Sequence, residues 1–186
     1  MKKREESWSI VEILSHSRHD WMNKLQLLKG NLALKKYDRA KEIIDEIVIE
    51  AQHESKLSNL HMNSFAEYII TYNWLKSDVK IEYVVLGDVL NLSTWDVPLT
   101  KWAKKLFSLL EVAALPKHDH EMMLTIETDR EEGARFSFSF QGILKETDEI
   151  NAFLTTQPFD RMKIQQMTCD RNEVTVHVTV DSEEAL

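Results

Sequence analysis

One run in the chain combines residue types and spacing suited to chemistry: Ser15-His16-Ser17-Arg18-His19-Asp20-Trp21-Met22-Asn23-Lys24-Leu25-Gln26. A neutral imidazole is a good nucleophile near neutral pH, because the free side chain titrates at about 6.5. Attack on a phosphoryl group needs an unhindered in-line approach, so a histidine doing this work must stand in solvent. On a helical wheel at about 100° per residue the apolar stripe centres near Leu14, Trp21 and Leu25, and His19 points roughly 140° away. Ser15 and Asn23 share its side of the helix, one turn before and one turn after. Arg18 has the charge to neutralise phosphoryl oxygens, although the wheel puts it nearer the stripe. Asp20 has the carboxylate to orient neighbouring groups. Spacing settles neither role. Exposed polar residues are usually without function, so the wheel alone makes His19 a candidate and nothing more.

The element that must carry this run is a long helix. The first 60 residues contain one glycine, Gly30, and no proline. Val11, Leu14, Trp21, Met22, Leu25, Leu28 and Leu32 recur at steps of three and four, which predicts an amphipathic helix over about 7–34. Lys35-Lys36-Tyr37-Asp38 is the break, with Asp38 as its expected N-cap. Ala40, Ile43, Ile44, Ile47 and Ala51 define a second helix to about residue 60. So short a connection predicts an antiparallel hairpin. Two helices leave much of so wide a stripe wet, so the expectation is a homodimer through residues 8–60, two hairpins forming a four-helix bundle. The alternative is that the stripe packs on the chain's own second half.

From about residue 62 the periodicity changes. Phe65, Ile69, Tyr72 and Leu75 suggest a helix, 79–86 a strand, and 98–115 a helix opened by Pro98 and followed by Pro116. Residues 122–128 and 134–140 read as a β-hairpin, 147–154 as a short helix, 163–167 as a strand and 174–180 as a cleanly alternating strand. The expected fold class is α+β: a helical hairpin over residues 1–61, then a domain over 62–186 with a mostly antiparallel sheet and helices on one face.

Bulk properties exclude several function classes. The 186 residues carry a formal net charge of −8, against a general nucleic-acid binder. The lone cysteine, Cys169, rules out an internal disulfide and fits a reducing compartment. The charged start, Met1-Lys2-Lys3-Arg4-Glu5-Glu6, leads into no apolar run long enough for a secretory signal or a membrane span, so a cytoplasmic protein is expected. Charge is unevenly placed. Between His16 and Lys41 there are seven positive residues (Arg18, Lys24, Lys29, Lys35, Lys36, Arg39, Lys41) against Asp20 and Asp38. Such a patch would steer an acidic partner pocket toward His19, or is simply the solvated face of a bundle.

The run from Arg18 to Gln26 resembles the phospho-acceptor helix of sensor-kinase domains of the sporulation-phosphotransferase type. There an Arg-His-Asp is followed by Asn four residues after the histidine, then Leu and often Gln, as here in Arg18-His19-Asp20, Asn23, Leu25 and Gln26. The resemblance is strongest over residues 14–34, and in architecture it covers nearly the whole chain. It implies that His19 is the phospho-acceptor, with Arg18, Asp20 and Asn23 supporting it. It also implies that receiver domains dock around Ser15, His16, Lys24, Gln26 and Leu27, and that the second domain resembles a histidine-kinase ATP-binding domain. That domain type needs an Asp-x-Gly-x-Gly turn and a Gly-rich lid, since only glycine lets backbone approach phosphate closely. Residues 62–186 hold only Gly87, Gly133 and Gly142, well separated. The expectation is therefore a relay without a nucleotide site. His19 takes a phosphoryl group from the aspartate of an upstream response regulator and passes it to the aspartate of a downstream response regulator, a transcription factor. Mg²⁺ comes with the receiver domains, and the chain needs no cofactor of its own. An ATP-dependent kinase with a degenerate site and a non-catalytic receiver-binding scaffold are the alternatives.

Other signals read as structural. His118-Asp119-His120-Glu121 has a metal-like look without the three or four converging ligands a zinc site needs, and His16 with Asp20 meets the same objection. His53 falls about level with His19 if the hairpin turns near Tyr37, and is a docking candidate or incidental. Cys169 has no base near it in sequence, and Trp74, Trp95 and Trp102 read as core or domain-interface residues.

Overall fold

The computed structural model describes residues 9–75, 77–156 and 162–181, without the side chains of Gln166 and Met167. The chain divides into two compact units between Gln52 and His53.

The first unit is a hairpin of α1 (Ile10–Ala33) and α2, which begins at Tyr37 and runs on to Ser58. The helix does not reach back as far as the apolar spacing alone suggested. Ser9 is the N-cap of α1 and forms a reciprocal capping box with Glu12, a Ser-x-x-Glu signature that also holds the Glu12 carboxyl below its ordinary range, first through the Ser9 hydroxyl. Ser7 lies outside the described residues. At its far end α1 closes in a Schellman motif: Lys35 N–H donates to Leu32 O (3.0 Å) and Lys36 N–H to Asn31 O (2.9 Å). Lys35 takes the left-handed conformation (φ 56°) that glycine usually fills. The Lys36 carbonyl then accepts from Ala40 N–H (3.0 Å), so α2 starts at Tyr37. Asp38 is in the first turn of α2, not its N-cap, where its charge complements the helix dipole. The motif uses up the connecting residues and lets the second helix begin at once.

The second unit is a five-stranded sheet with helices on one face. In chain order it contains α3 (Asn63–Tyr72), β1 (Val79–Gly87), a single 3₁₀ turn at Ser93–Trp95, α4 (Asp96–Ala113), β2 (His120–Asp129), β3 (Gly133–Gln141), α5 (Asp148–Leu154), β4 (Met162–Cys169) and β5 (Glu173–Val180). Strand order is β1-β2-β3-β5-β4, with β1 parallel to β2 and the other pairs antiparallel. Alternation along β2, β3 and β5 sends Met122, Leu124, Ile126, Phe136, Phe138, Phe140, Val174, Val176 and Val178 into the core. Against them pack Phe65 of α3, whose ring meets Phe136 edge-on at 5.6 Å, and Trp102 and Phe107 of α4, both against Phe138. Trp95 and Trp102 are core residues, and Trp74 is half-buried. Leu57 and Leu60 join the same core, so the last turns of α2 pack with the second unit. Both tight hairpin turns open on an aspartate. Asp129 Oδ1 accepts from Glu131 and Glu132 N–H, and Asp170 Oδ1 from Asn172 and Glu173 N–H.

The outer edge of β1 is closed by side chains. Ser77 Oγ accepts from Val79 N–H, the Asn73 amide exchanges two hydrogen bonds with Ile81, and His53 Nδ1 accepts from Val85 N–H at 3.2 Å. An exposed edge strand invites pairing with another chain; here three side chains satisfy backbone groups that a further strand would take. A second cap links two helices. α3 has no side-chain cap of its own. Asp96, at the start of α4, instead accepts from Ser64 N–H (3.0 Å) and Phe65 N–H (2.8 Å). Asp96→Ala should lower the stability of the sheet unit by about 1–2 kcal/mol, the typical loss of a helix N-cap, read as a reduced urea midpoint at unchanged m-value. An unchanged midpoint would show that water replaces the carboxylate at no cost.

Candidate functional site

The site is built on the middle of α1. No residue of this helix is buried within the chain. Where α1 faces α2, the half-buried positions are Ile13, Ser17, Lys24, Leu28 and Asn31, opposite Ala40, Ile43 and Ile47. Of the stripe singled out from periodicity, Leu28 joins this seam, while Leu14 (58% exposed), Trp21 (50%), Leu25 (51%) and Leu32 (46%) lie on a different line and stay wet, as do Ile44 and Val48 of α2. The hairpin thus joins along a thin seam, and among the described residues of the hairpin nothing covers its wide apolar stripe.

His19 stands out in solvent, with its side chain 72% exposed. Two neighbours reach it, both at the same ring atom. Asp20 Oδ1 lies 3.3 Å from His19 Nδ1, and Asn23 Nδ2 lies 3.2 Å from it. Ser15, His19, Asn23 and Leu27 follow at four-residue spacing and form one row along the helix. All four are exposed, as are Arg18 and Gln26, while His16 and Ser17 are half-buried. Lys24 points elsewhere, into an ion pair with Glu50 of α2 and over the Trp21 ring at 5.9 Å. Arg39 is likewise held by Glu42 (2.9 Å) and Glu46 (3.0 Å). The positive surplus of the hairpin is therefore partly answered by acids of α2, and the field near His19 is weaker than the linear sequence suggests.

The other candidates have structural partners. His53 belongs to the second unit, where its ring closes the β1 edge. His120 is 1% exposed and opens β2 rather than lying in a loop. It bonds at Nε2 with Leu115 O (2.9 Å), accepts from Ile143 N–H at Nδ1 (3.2 Å), and stacks on Phe140. Among the described residues no group of three or more His, Cys, Asp or Glu side chains is arranged to hold a metal ion, and no helix is long and apolar enough to cross a membrane. The glycines of the second unit are occupied as well. Gly87 has φ +84° and would set a Cβ 2.1 Å from Thr128 O; Gly142 would set one 2.2 Å from the His120 ring. Gly133 turns the β2–β3 hairpin at φ 92°. Each serves packing or a turn, including Gly87 and Gly142, which read from sequence as ordinary turns.

Profile comparison divides the chain in the same order as the fold. Residues 61–181 match a family described as sporulation initiation phosphotransferase B, C-terminal, and residues 1–60 match the SpoOB-type sensor-kinase alpha-helical domain. The chain belongs to the sporulation initiation phosphotransferase B family. A curated relative, sporulation initiation phosphotransferase B of Bacillus subtilis (strain 168), is 48% identical over 120 residues, 64% of this chain. The chain spans 62% of that relative's length. Solved structures with some likeness include the catalytic domain of histidine kinase ThkA (13% identity, TM-score 0.46, covering 70% of this chain and 96% of that one). The mycobacterial sensor histidine kinase MprB is another (10% identity, TM-score 0.37, covering 66% and 93%).

Cys169 is half-buried at the end of β4, and burial, reinforced by the neighbouring Asp170 charge, pushes its thiol above the ordinary range. The folded state therefore favours the neutral thiol. As pH rises through the unfolded thiol's pKa, about 8.5, the unfolded chain loses its proton first and this contribution to stability falls. Iodoacetamide at pH 8 should alkylate Cys169 more slowly in the folded protein than in urea. Equal rates would contradict the depressed thiolate population.

Proposed function

We propose that this chain is a phosphotransferase of a sporulation phosphorelay. His19 accepts a phosphoryl group from the aspartate of an upstream response regulator. It then hands the group to the aspartate of a downstream response regulator, a transcription factor. The observation that carries this reading is His19 itself: a solvent-exposed imidazole whose two hydrogen-bonding neighbours, Asp20 and Asn23, both lie at Nδ1, so that Nε2 is the atom offered to an incoming group. The Nε2 lone pair forms the P–N bond, the P–O bond to the donor carboxylate breaks, and that carboxylate keeps the electron pair. The return step is the same exchange with a second carboxylate. Mg²⁺ is supplied by the receiver domains, whose acidic pockets hold it near the phosphoryl oxygens. Arg18 is an exposed cation beside His19 and suits those oxygens. Ser15 and Leu27 within the row, and His16 and Gln26 beside it, form the docking surface, with Lys24 at its margin. The reading goes with a cytoplasmic location and with two domains, 1–61 and 62–186.

The dimer belongs to the same reading. The uncovered line of Leu14, Trp21, Leu25 and Leu32 has the length and chemistry of a bundle interface. A second hairpin laid on it completes a four-helix bundle and leaves the His19 row outside.

Incubation with a phosphorylated receiver domain should move label onto this chain in an acid-labile, base-stable form, and His19→Gln should abolish the transfer at least 10³-fold, as expected for loss of the nucleophile. Transfer that survives His19→Gln, or label arriving from ATP alone, would sink the proposal. Separately, Trp21→Asp with Leu25→Asp should turn a dimer into a monomer by sedimentation while the sheet unit's core stays folded. A wild type that sediments as a monomer at micromolar concentration would refute the bundle.

A further inference from the structure

His19 has two hydrogen-bonding neighbours that compete for one atom. Asp20 Oδ1 is 3.3 Å from Nδ1 and Asn23 Nδ2 is 3.2 Å from the same Nδ1. A neutral imidazole has one N–H and one lone pair. A carboxylate only accepts, so the bond to Asp20 requires hydrogen on Nδ1 and puts the lone pair on Nε2. An amide NH₂ only donates, so the bond from Asn23 requires the lone pair on Nδ1 and puts hydrogen on Nε2. The two bonds belong to opposite tautomers and cannot be made at once.

We propose that Asp20 and Asn23 form a tautomer gate on His19, with Asp20 holding the nucleophilic form and Asn23 holding a resting form. The inference rests on His19 as the phosphoryl carrier. In the Asp20-held form the Nε2 lone pair attacks phosphorus directly: the N–P bond forms, the P–O bond to the donor carboxylate breaks, and the carboxylate takes the electron pair. The ring finishes with hydrogen on Nδ1 and a positive charge beside the Asp20 carboxylate. From the Asn23-held form the same attack must first lose the Nε2 hydrogen. Once Nε2 carries the phosphoryl group, Nδ1 keeps its hydrogen and offers Asn23 no lone pair. The Asn23 bond is thus specific to the empty carrier, and the arriving group releases it. Both are positioning residues, since they act through the ring rather than on the phosphoryl group. Hydrogen bonds at so exposed a site are weak, which makes the gate a bias and not a lock.

The test is the ¹⁵N spectrum of the full chain labelled at histidine, at a pH where the ring is neutral, with the His19 signals assigned by their loss in His19→Gln. Asn23→Ala should shift the ratio toward Nδ1–H by about three- to ten-fold; Asp20→Ala should shift it toward Nε2–H by a similar factor. Helical circular dichroism checks that both variants, at exposed positions, keep the hairpin. Asn23→Asp, which can only accept when ionised, should move the ratio in the same direction as Asn23→Ala and further. An unchanged ratio in Asn23→Ala overturns the gate. So does a shift toward Nε2–H, which would mean that the amide presents its oxygen to the ring and cooperates with Asp20. If wild type takes no phosphoryl group from any phosphorylated receiver, the carrier reading fails. The gate is still decided by the tautomer ratio alone.

Discussion

Two helices packed side by side touch along one line, and α1 carries more apolar surface than one line can hide. Its seam to α2 is shallow: Ile13, Ser17, Lys24, Leu28 and Asn31, partly polar and closed by the Lys24–Glu50 ion pair. The larger side chains, Trp21 and Leu25 among them, lie on another line and remain about half exposed. Water contact on that scale is unfavourable at roughly 25 cal/mol per Å² of apolar surface. The exposed stripe is the main physical demand the hairpin makes on its surroundings. It also fixes by geometry which side of α1 remains for polar chemistry, and His19 is on that side.

The sheet unit has solved the equivalent problem internally. Its apolar residues alternate cleanly into one face, and α3, α4 and α5 cover that face with aromatic rings. What remains are the two edge strands, β1 and β4. β1 is nine residues long and outermost, which in most sheets would be a template for further pairing. Ser77, Asn73 and His53 meet its backbone groups instead. His53, from the last turns of α2, belongs to the sheet unit and closes its edge from within.

The glycines of the sheet unit are committed to packing and turns. Close approach of backbone to phosphate needs glycines near one another. Here Gly87 exists to let β1 end against Thr128, and Gly142 to let the chain pass the His120 ring. A buried histidine and a strand end have taken the positions where flexibility is possible.

Periodicity and motif alone determined much about this protein. The spacing of Leu14, Trp21 and Leu25 set α1 and the outward side of His19, because a 3.6-residue repeat leaves a polar face no choice of direction. The alternating strands and Pro98 set the second unit, and the Arg18-His19-Asp20 run with Asn23 pointed to the family. The Ser9–Glu12 capping box was present in the sequence as Ser-x-x-Glu, although the apolar spacing alone ran the helix past it. Other features only the tertiary structure decided. Asp96 caps a helix 31 residues away from its own position, His53 and His120 became backbone partners rather than surface ligands, and Lys24 turned from the patch to Glu50. Each depends on which backbone group or charge arrives from a distant part of the chain, and no local period encodes that. The same holds at His19: the sequence put Asp20 and Asn23 nearby, but only the rotamers showed that both reach for Nδ1.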